Sequence, residues 1–169
     1  MKAKYLMFSL ILVLLIGGGS FAFAEGTSYG AKGALEDSTL TVEEMMKYAI
    51  QDEYLARREY EEIMKVYGEI RPFSNIIRSE VEHIEMLNDL YRDFNISVPE
   101  DNSEDYILIP GSLKEALETG VQAEIDNIAM YEKFLAEDLP DDVRDVFERL
   151  MRASENHLRA FQNNLRKYQ

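Results

Sequence analysis

The architecture of this chain follows from residues 79–83, Ser-Glu-Val-Glu-His, and from residues 154–157, Ser-Glu-Asn-His, which echo them near its end. Each stretch lies in a helix-period pattern whose inward positions are otherwise apolar. Glu80 and His83 are three residues apart, so they lie on one helix face about one turn apart and can bind the same ion. The chain has only two histidines, His83 and His157. These stretches predict a fold that brings the two histidines together.

Around the two stretches, the sequence predicts four amphipathic helices. Thr41 with Glu44 and Ser112 with Glu115 have the capping-box spacing that opens a helix. The four prolines of the chain all fall between predicted helices, and Gly68 ends the first of them. The predicted helices cover about 42–67, 73–94, 113–135 and 141–168.

The connections between these helices are short, long and short. The long one, Asn95–Gly111, contains two prolines and a short run at 106–109 that resembles a β-strand in composition. This pattern is typical of a four-helix bundle with one crossover. We therefore predict an all-α fold, with the long crossover between helices two and three.

An internal repeat relates the two halves of the bundle. A shift of 71 residues places Gln51, Glu53, Tyr60 and Glu61 on Gln122, Glu124, Tyr131 and Glu132. A shift of 74 residues places Phe73, Arg78 and His83 on Phe147, Arg152 and His157. The coincidence of Glu with Glu and of His with His predicts two similar helical hairpins facing each other.

The inward faces of the four helices carry a set of metal-ligand residues. Buried carboxylates are rare unless they are paired, and an uncompensated one costs about 3–5 kcal/mol. No Lys or Arg lies near them on these faces. Divalent metal would supply the missing positive charge, and mixed Glu and His ligation suits iron, manganese or zinc. The predicted ligands are Glu53, Glu80, His83, Glu124 and His157, with Ser154 and Asn127 beside them.

Other interpretations of these residues stay open. The polar positions could reach solvent, or each histidine could be a hydrogen-bonded core residue. Tyr60 and Tyr131 each follow a Glu by seven residues, about 20° away around the helix. Core packing is the default interpretation of both tyrosines, and a redox or supporting role at the metal is the alternative.

Composition limits the partners and the compartment. The net charge of −14 argues against binding to nucleic acid or to anionic membranes. The absence of cysteine excludes disulfides, iron–sulfur centres and thiol catalysis. Residues 1–24 have a basic start, a short apolar run and an Ala-x-Ala end at Ala24, which predicts a secretory signal peptide, with an uncleaved anchor as the alternative. We expect an extracytoplasmic protein with a flexible linker at 25–40 and the bundle at 41–169.

The motifs resemble those of the ferritin-like superfamily. In those di-metal bundles, two helices each give one Glu and the other two each give Glu-x-x-His. Glu53, Glu124 and the Glu80-x-x-His83 motif match three of these four elements. More narrowly, the sequence is similar to the family called domain of unknown function 2202. That similarity rests on Ser79-Glu80-x-x-His83, Gly120-x-x-x-Glu124 and Ser154-x-Asn156-His157-Leu158-Arg159-Ala160-Phe161 and covers about residues 43–166.

The fourth element departs from this pattern, because Ser154 stands where the superfamily has a Glu. The resemblance implies that Glu53 and His83 serve one metal and Glu124 and His157 the other, with Glu80 shared. Three carboxylates leave two divalent ions short of one negative charge. We expect the second metal to bind less tightly, to recruit hydroxide or another anion, or to be absent.

The resemblance implies a ferritin-like metal-binding protein that carries one or two divalent ions, iron first and manganese or zinc as alternatives, with oxygen or peroxide chemistry at the centre. The other hypotheses are non-enzymatic metal capture and a metal-free helical interaction module at the cell envelope. Redox turnover would require an external electron donor, because the chain has no cysteine-rich electron-transfer segment. Assembly into a homo-oligomer stays open.

Overall fold

Four long helices form where the sequence predicts them. The computed structural model describes residues 29–168. Its helices are α1 Gly30–Glu36, α2 Val42–Tyr67, α3 Phe73–Asp93, α4 Leu113–Leu135 and α5 Asp141–Leu165, with 3-10 turns at Ser103–Asp105 and Arg166–Tyr168. Helices α2 to α5 correspond to the four predicted helices. The predicted signal peptide lies outside the described residues, and both it and the extracytoplasmic location stay predictions.

The two predicted capping boxes form to different extents. At the start of α2, the Thr41 hydroxyl accepts from the Glu44 amide at 3.2 Å, and the Glu44 carboxylate accepts from the Thr41 amide at 2.8 Å. At the start of α4, the Ser112 hydroxyl accepts from the Glu115 amide at 3.2 Å. The Glu115 carboxylate accepts from the amide of Gly111, one residue before the cap, at 3.0 Å. Both helices thus begin at the predicted residue.

The four long helices pack as two hairpins that close into a bundle. Helix α2 packs along α3 and α4 along α5, and the contacts of α3 with α5 and of α2 with α4 complete the ring. The long segment 94–112 crosses between the hairpins. The predicted all-α class and bundle are confirmed. None of the helices within 29–168 combines the length and apolar character needed to cross a membrane.

A polar layer divides the core into two apolar clusters. One cluster includes Ile50, Leu87 and Phe147, and the other includes Ile63, Phe73 and Phe161. Along α3, α4 and α5 the buried polar residues fall between members of the two clusters. That layer consists of Glu80, His83, Glu124, Asn127, Ser154 and His157, together with Glu53 of α2, which contacts His83.

The run at 106–109 of the crossover resembles a β-strand in composition but is not a strand in the structure. These residues follow a 3-10 turn and form no strand. The Leu108 amide donates to the Glu59 carboxylate at 3.2 Å, and the Tyr67 hydroxyl donates to the Pro110 carbonyl at 2.6 Å. The segment therefore bonds to side chains of α2. Its composition was misleading because a strand needs a partner strand, and none lies beside it among the described residues.

The prediction of a flexible linker at 25–40 is wrong for residues 30–36, which form α1. This short helix packs against α2 and α4 and buries Gly30, Ala31, Gly33 and Ala34. The Ala31 amide donates to Asp52 Oδ1 at 2.7 Å, and Lys133 Nζ donates to the Ala34 carbonyl at 2.7 Å. The Gly- and Ala-rich composition suggested a tether, but the same small residues allow close approach to the bundle.

Candidate metal centre

The five predicted ligands lie together in the polar layer of the bundle. Helices α2 and α4 each position one Glu, α3 positions Glu80 and His83, and α5 positions His157. All five side chains are buried, with 2–7% of each residue exposed. Their candidate ligand atoms form two groups, and within each group these atoms lie within 4.8 Å of one another.

The first group consists of Glu53, Glu80 and His83. His83 Nδ1 lies 3.0 Å from Glu53 Oε2 and 2.8 Å from Glu80 Oε2. A ring nitrogen carries at most one proton, so His83 Nδ1 has a single N–H to share between two carboxylate oxygens. A cation at this position would satisfy both carboxylates at once.

The second group consists of Glu80, Glu124 and His157. His157 Nδ1 lies 3.3 Å from Glu80 Oε1 and 3.4 Å from Glu124 Oε1. Glu80 therefore directs one oxygen toward each histidine, and the two imidazole rings stack with centroids 5.7 Å apart. This is the sharing of Glu80 between two positions that the resemblance implies.

The charges in this layer oppose one another. Burial raises the pKa of Glu80 well above its usual value, and the neighbouring Glu53 raises it further. Burial would also raise the pKa of Glu53, but His83 outweighs that effect and lowers it. Burial lowers the pKa of His83, yet the two carboxylates beside it raise that pKa to about 10. Without metal, the layer therefore retains protons that limit its negative charge.

The donor set fits divalent metal. Within 29–168, the ion-pair partners of Glu53, Glu80 and Glu124 are all histidines. Burial raises the pKa of Glu124 as well, although His157 opposes the shift. Three buried carboxylates with two imidazoles match the ligand preferences of iron, manganese and zinc. Whether these atoms ligate a metal stays a prediction.

Two tyrosines support the carboxylates from the opposite hairpin. Tyr60 Oη donates to Glu124 Oε1 at 3.3 Å, and Tyr131 Oη donates to Glu53 Oε1 at 3.2 Å. Burial and the adjacent carboxylates raise the pKa of both phenols well above the usual value, so both act as donors. Core packing also holds Tyr60, whose ring packs against Phe73 and Phe161.

Ser154 faces a small cavity at the second group. Glu80, Glu124, Asn127 and His157 also line this cavity, whose volume is about 20 Å³. That volume accommodates about one water molecule. The space beside Ser154, where the superfamily pattern has a carboxylate, thus admits one very small ligand.

Asp52 lines the same cavity and was not predicted from the sequence. Its carboxylate accepts from the Asn127 side-chain amide and, at 2.7 Å, from the backbone amide of Ala31. Burial raises its pKa to about 7, with the Ala31 bond opposing the shift. Asp52 lies about 100° around α2 from its neighbour Glu53, so helical periodicity placed it off the inward face. Only its adjacency to Glu53 could have drawn attention to it.

Comparison with known proteins matches most of the chain to a known family. A family model described as Rubrerythrin matches residues 44–165, which include all five predicted ligands. The chain is 29% identical over 135 residues to the uncharacterized protein MJ0754 of Methanocaldococcus jannaschii, covering 70% of this chain and 71% of that protein. A crystal structure of hypothetical protein MJ0754 from Methanococcus jannaschii matches with a TM-score of 0.66 at 27% identity, covering 78% of this chain and 85% of that one.

These findings confirm the ferritin-like superfamily predicted from the sequence. The family model spans all four bundle helices almost completely and includes both histidines. The all-α bundle and the match over most of the chain agree. This chain therefore belongs to the rubrerythrin family.

Proposed function

We propose that the protein binds one or two divalent ions, iron first, at Glu53, Glu80, His83, Glu124 and His157, and that the centre reacts with oxygen or peroxide. The observation that carries the proposal is the position of Glu80, which directs one carboxylate oxygen toward each histidine. Family membership supports metal at this layer. Bound iron would supply one-electron redox chemistry.

The protein's own residues would hold this centre and shield it. Burial of every predicted ligand excludes bulk water and strengthens the electrostatic interactions within the layer. Tyr60 donates to Glu124 and Tyr131 to Glu53, which helps to fix the orientation of both carboxylates. Reducing equivalents would have to come from a partner, because the chain lacks cysteine.

Metal capture without catalysis is the second candidate function, and the size of the cavity favours it. A space of about 20 Å³ admits one water-sized molecule and no organic substrate. A metal held this closely could be stored or could stabilise the bundle. Dioxygen and hydrogen peroxide have two heavy atoms each and are larger than the one water molecule that this volume holds, which is why the cavity favours capture over catalysis.

Metal analysis tests the proposal. We expect one to two ions per chain after anaerobic loading with Fe²⁺ and removal of excess metal. Glu80→Gln should remove at least one of them, because Glu80 serves both groups. Glu82→Gln is the matched control, since Glu82 is an exposed acid in the same stretch. A stoichiometry near zero that Glu80→Gln does not change would overturn the proposal and favour the metal-free interaction module.

Reactivity separates the two candidate functions. Adding peroxide or oxygen to the iron-loaded protein should change its near-ultraviolet absorbance if the centre is redox active. An unchanged spectrum with full metal occupancy would leave metal capture as the function. Manganese- or zinc-loaded protein serves as the comparison for the choice of metal.

A further inference from the structure

The internal repeat is broken at three pairs of positions that lie side by side. Among the pairs that differ between the halves, three are Asp52 and Ala123, Ala56 and Asn127, and Glu80 and Ser154. All six residues line the same small cavity. The polar members Asp52, Asn127 and Ser154 form one hydrogen-bonded chain. The loss of the carboxylate at position 154 is thus accompanied by two further changes beside it.

When Asp52 is ionised, chemistry fixes the direction of each hydrogen bond that links Asp52, Asn127 and Ser154. The Asp52 carboxylate accepts from the Ala31 amide and from Asn127 Nδ2. With its Nδ2 turned to Asp52, Asn127 presents Oδ1 to Ser154. Ser154 Oγ therefore donates its proton to Asn127 Oδ1 at 2.8 Å, with the Leu150 carbonyl at 3.1 Å as the second acceptor. The single hydroxyl proton of Ser154 is therefore used in bonds to these two acceptors and not toward the cavity.

The remaining capacity of Ser154 Oγ is then acceptor only. A hydroxyl has two lone pairs besides its proton. Ser154 lines the cavity with Glu80, Glu124 and His157, which are the residues of the second ligand group. The second hairpin therefore presents the neutral hydroxyl oxygen of Ser154 as an acceptor, at the position where the first hairpin has the Glu80 carboxylate.

We propose that Asp52, acting through Asn127, is a positioning residue that holds Ser154 as a lone-pair donor toward the second metal position and toward one water-sized ligand there. This inference rests on the proposed function, because it assumes metal at Glu80, Glu124 and His157. In this role Asp52 acts only through its neighbours. It fixes the amide of Asn127, and that amide fixes the hydroxyl of Ser154.

Reversing the direction of the hydrogen bonds between Asp52, Asn127 and Ser154 tests the proposal. In the Asp52→Asn variant, the Ala31 amide still needs an acceptor, so the new side chain would turn its amide nitrogen toward Asn127. Asn127 would flip and present Nδ2 to Ser154, which would accept that bond with one of its lone pairs and turn its proton to the Leu150 carbonyl or toward the cavity. We expect Co²⁺ titration at pH 8 to show a second site that is weaker by about tenfold or more. The visible absorption of that Co²⁺ should also change, since it reports the coordination environment.

An isosteric swap should restore the original direction. When Asp52→Asn is combined with Asn127→Asp, the amide at position 52 donates to the carboxylate at position 127, which again accepts from Ser154. We expect Co²⁺ affinity within about threefold of wild type and the wild-type spectrum. Asn127→Leu keeps the Asp52 charge but cuts the chain, and it should weaken the second site as Asp52→Asn does.

A charge-matched control excludes a simple field effect. Asp126→Asn removes one carboxylate next to Asn127 on α4, where its partner is Gln122 and not the chain. It should leave the second Co²⁺ affinity within about twofold of wild type. The inference is overturned if the swap fails to recover the affinity that Asp52→Asn loses. It is overturned equally if Asn127→Leu binds as wild type does. Absence of any Co²⁺ binding in wild type would instead refute the proposed function.

Discussion

At the scale of single residues, the two tyrosines show how the bundle stabilises buried carboxylates. Each phenol donates to a Glu of the opposite hairpin, and the 71-residue repeat relates the two bonds. A carboxylate at 3% or 5% exposure has lost nearly all of its water. A hydrogen bond to a charged group contributes about 1.5–3 kcal/mol, so each phenol offsets part of that loss. The tyrosines thus belong to the ligand layer and to the core together.

Replacing either tyrosine by phenylalanine tests this assignment. Tyr60→Phe and Tyr131→Phe keep the ring packing but remove the donor to Glu124 or to Glu53. We expect each to lower the unfolding free energy of the metal-free protein by about 1–3 kcal/mol. Urea denaturation in the presence of chelator measures it. The two variants serve as controls for each other, because the repeat predicts similar losses. Two variants as stable as wild type would show that the phenols only fill space.

The sequence predicts which residues lie in the polar layer but not the hydrogen bonds between the hairpins. The helical period and the repeat place all five predicted ligands on inward faces, and the structure brings them together. Periodicity also places Tyr60 near Glu53 of its own helix, whereas its hydroxyl bonds Glu124 of α4. Asp52 was missed for the same reason: its partners lie on α1 and α4. Bonds between elements depend on packing, which one-helix patterns do not contain.

At the scale of elements, α1 is the helix that the amino-acid composition does not predict. Its seven residues have no wide apolar face, and an isolated helix of this length is unstable in water. Contacts with α2 and α4 stabilise it, including the Ala31 bond to Asp52 and the Lys133 bond to the Ala34 carbonyl. The four long helices were predictable because caps, period and prolines agree along each one. Helix α1 carries only its small residues as a signal.

Substitution of Gly30 should loosen α1 without disturbing the four-helix bundle. It has φ +56°, and a Cβ there would lie 2.6 Å from Asp52 Oδ1. Gly30→Ala should therefore displace the start of α1 and raise amide hydrogen exchange over residues 30–36 by about tenfold or more. Exchange in the interiors of α2 to α5 should stay close to wild type. Mass-spectrometric hydrogen exchange measures both regions in one experiment.

Gly68 supplies the control for backbone strain. It also has a positive φ, +87°, but a Cβ there would meet nothing within 4 Å. Gly68→Ala should loosen the end of α2 and leave exchange in α1 unchanged. If Gly30→Ala exchanges no faster than wild type in residues 30–36, the contact with Asp52 does not hold α1 in place.

At the scale of the whole molecule, the bundle combines two apolar clusters with a charged layer between them. The clusters stabilise the fold, while the layer opposes it when no metal is bound, because each buried carboxylate must be neutralised or paired. Metal binding would replace the protons that the layer retains by a cation of higher charge. The stability of the molecule should therefore respond to pH in opposite ways with and without metal.

The metal-free protein should lose stability as pH rises from about 5 to 9. The pKa of Asp52 is raised to about 7 and that of His83 to about 10, and the pKa values of Glu80 and Glu124 are raised as well. A group with a raised pKa contributes stability that is lost as pH rises through its folded pKa, since only the folded state keeps the proton. Each retained proton changes the unfolding free energy by about 1.4 kcal/mol per pH unit.

Metal should reverse this slope, because the ligands bind it after releasing their protons. We expect the stabilisation on adding Fe²⁺ or Zn²⁺ to grow from about pH 5 to pH 8 and to fade below pH 5. Denaturation at each pH, with chelator and with metal, measures both slopes. Glu80→Gln cannot titrate at that position, so its metal-free slope should be shallower than that of wild type. Metal-free protein that becomes more stable between pH 5 and pH 9 would contradict the protonation pattern of the layer. In that case the carboxylates of the layer would already be paired without metal, and the electrostatic argument for a metal centre would fail.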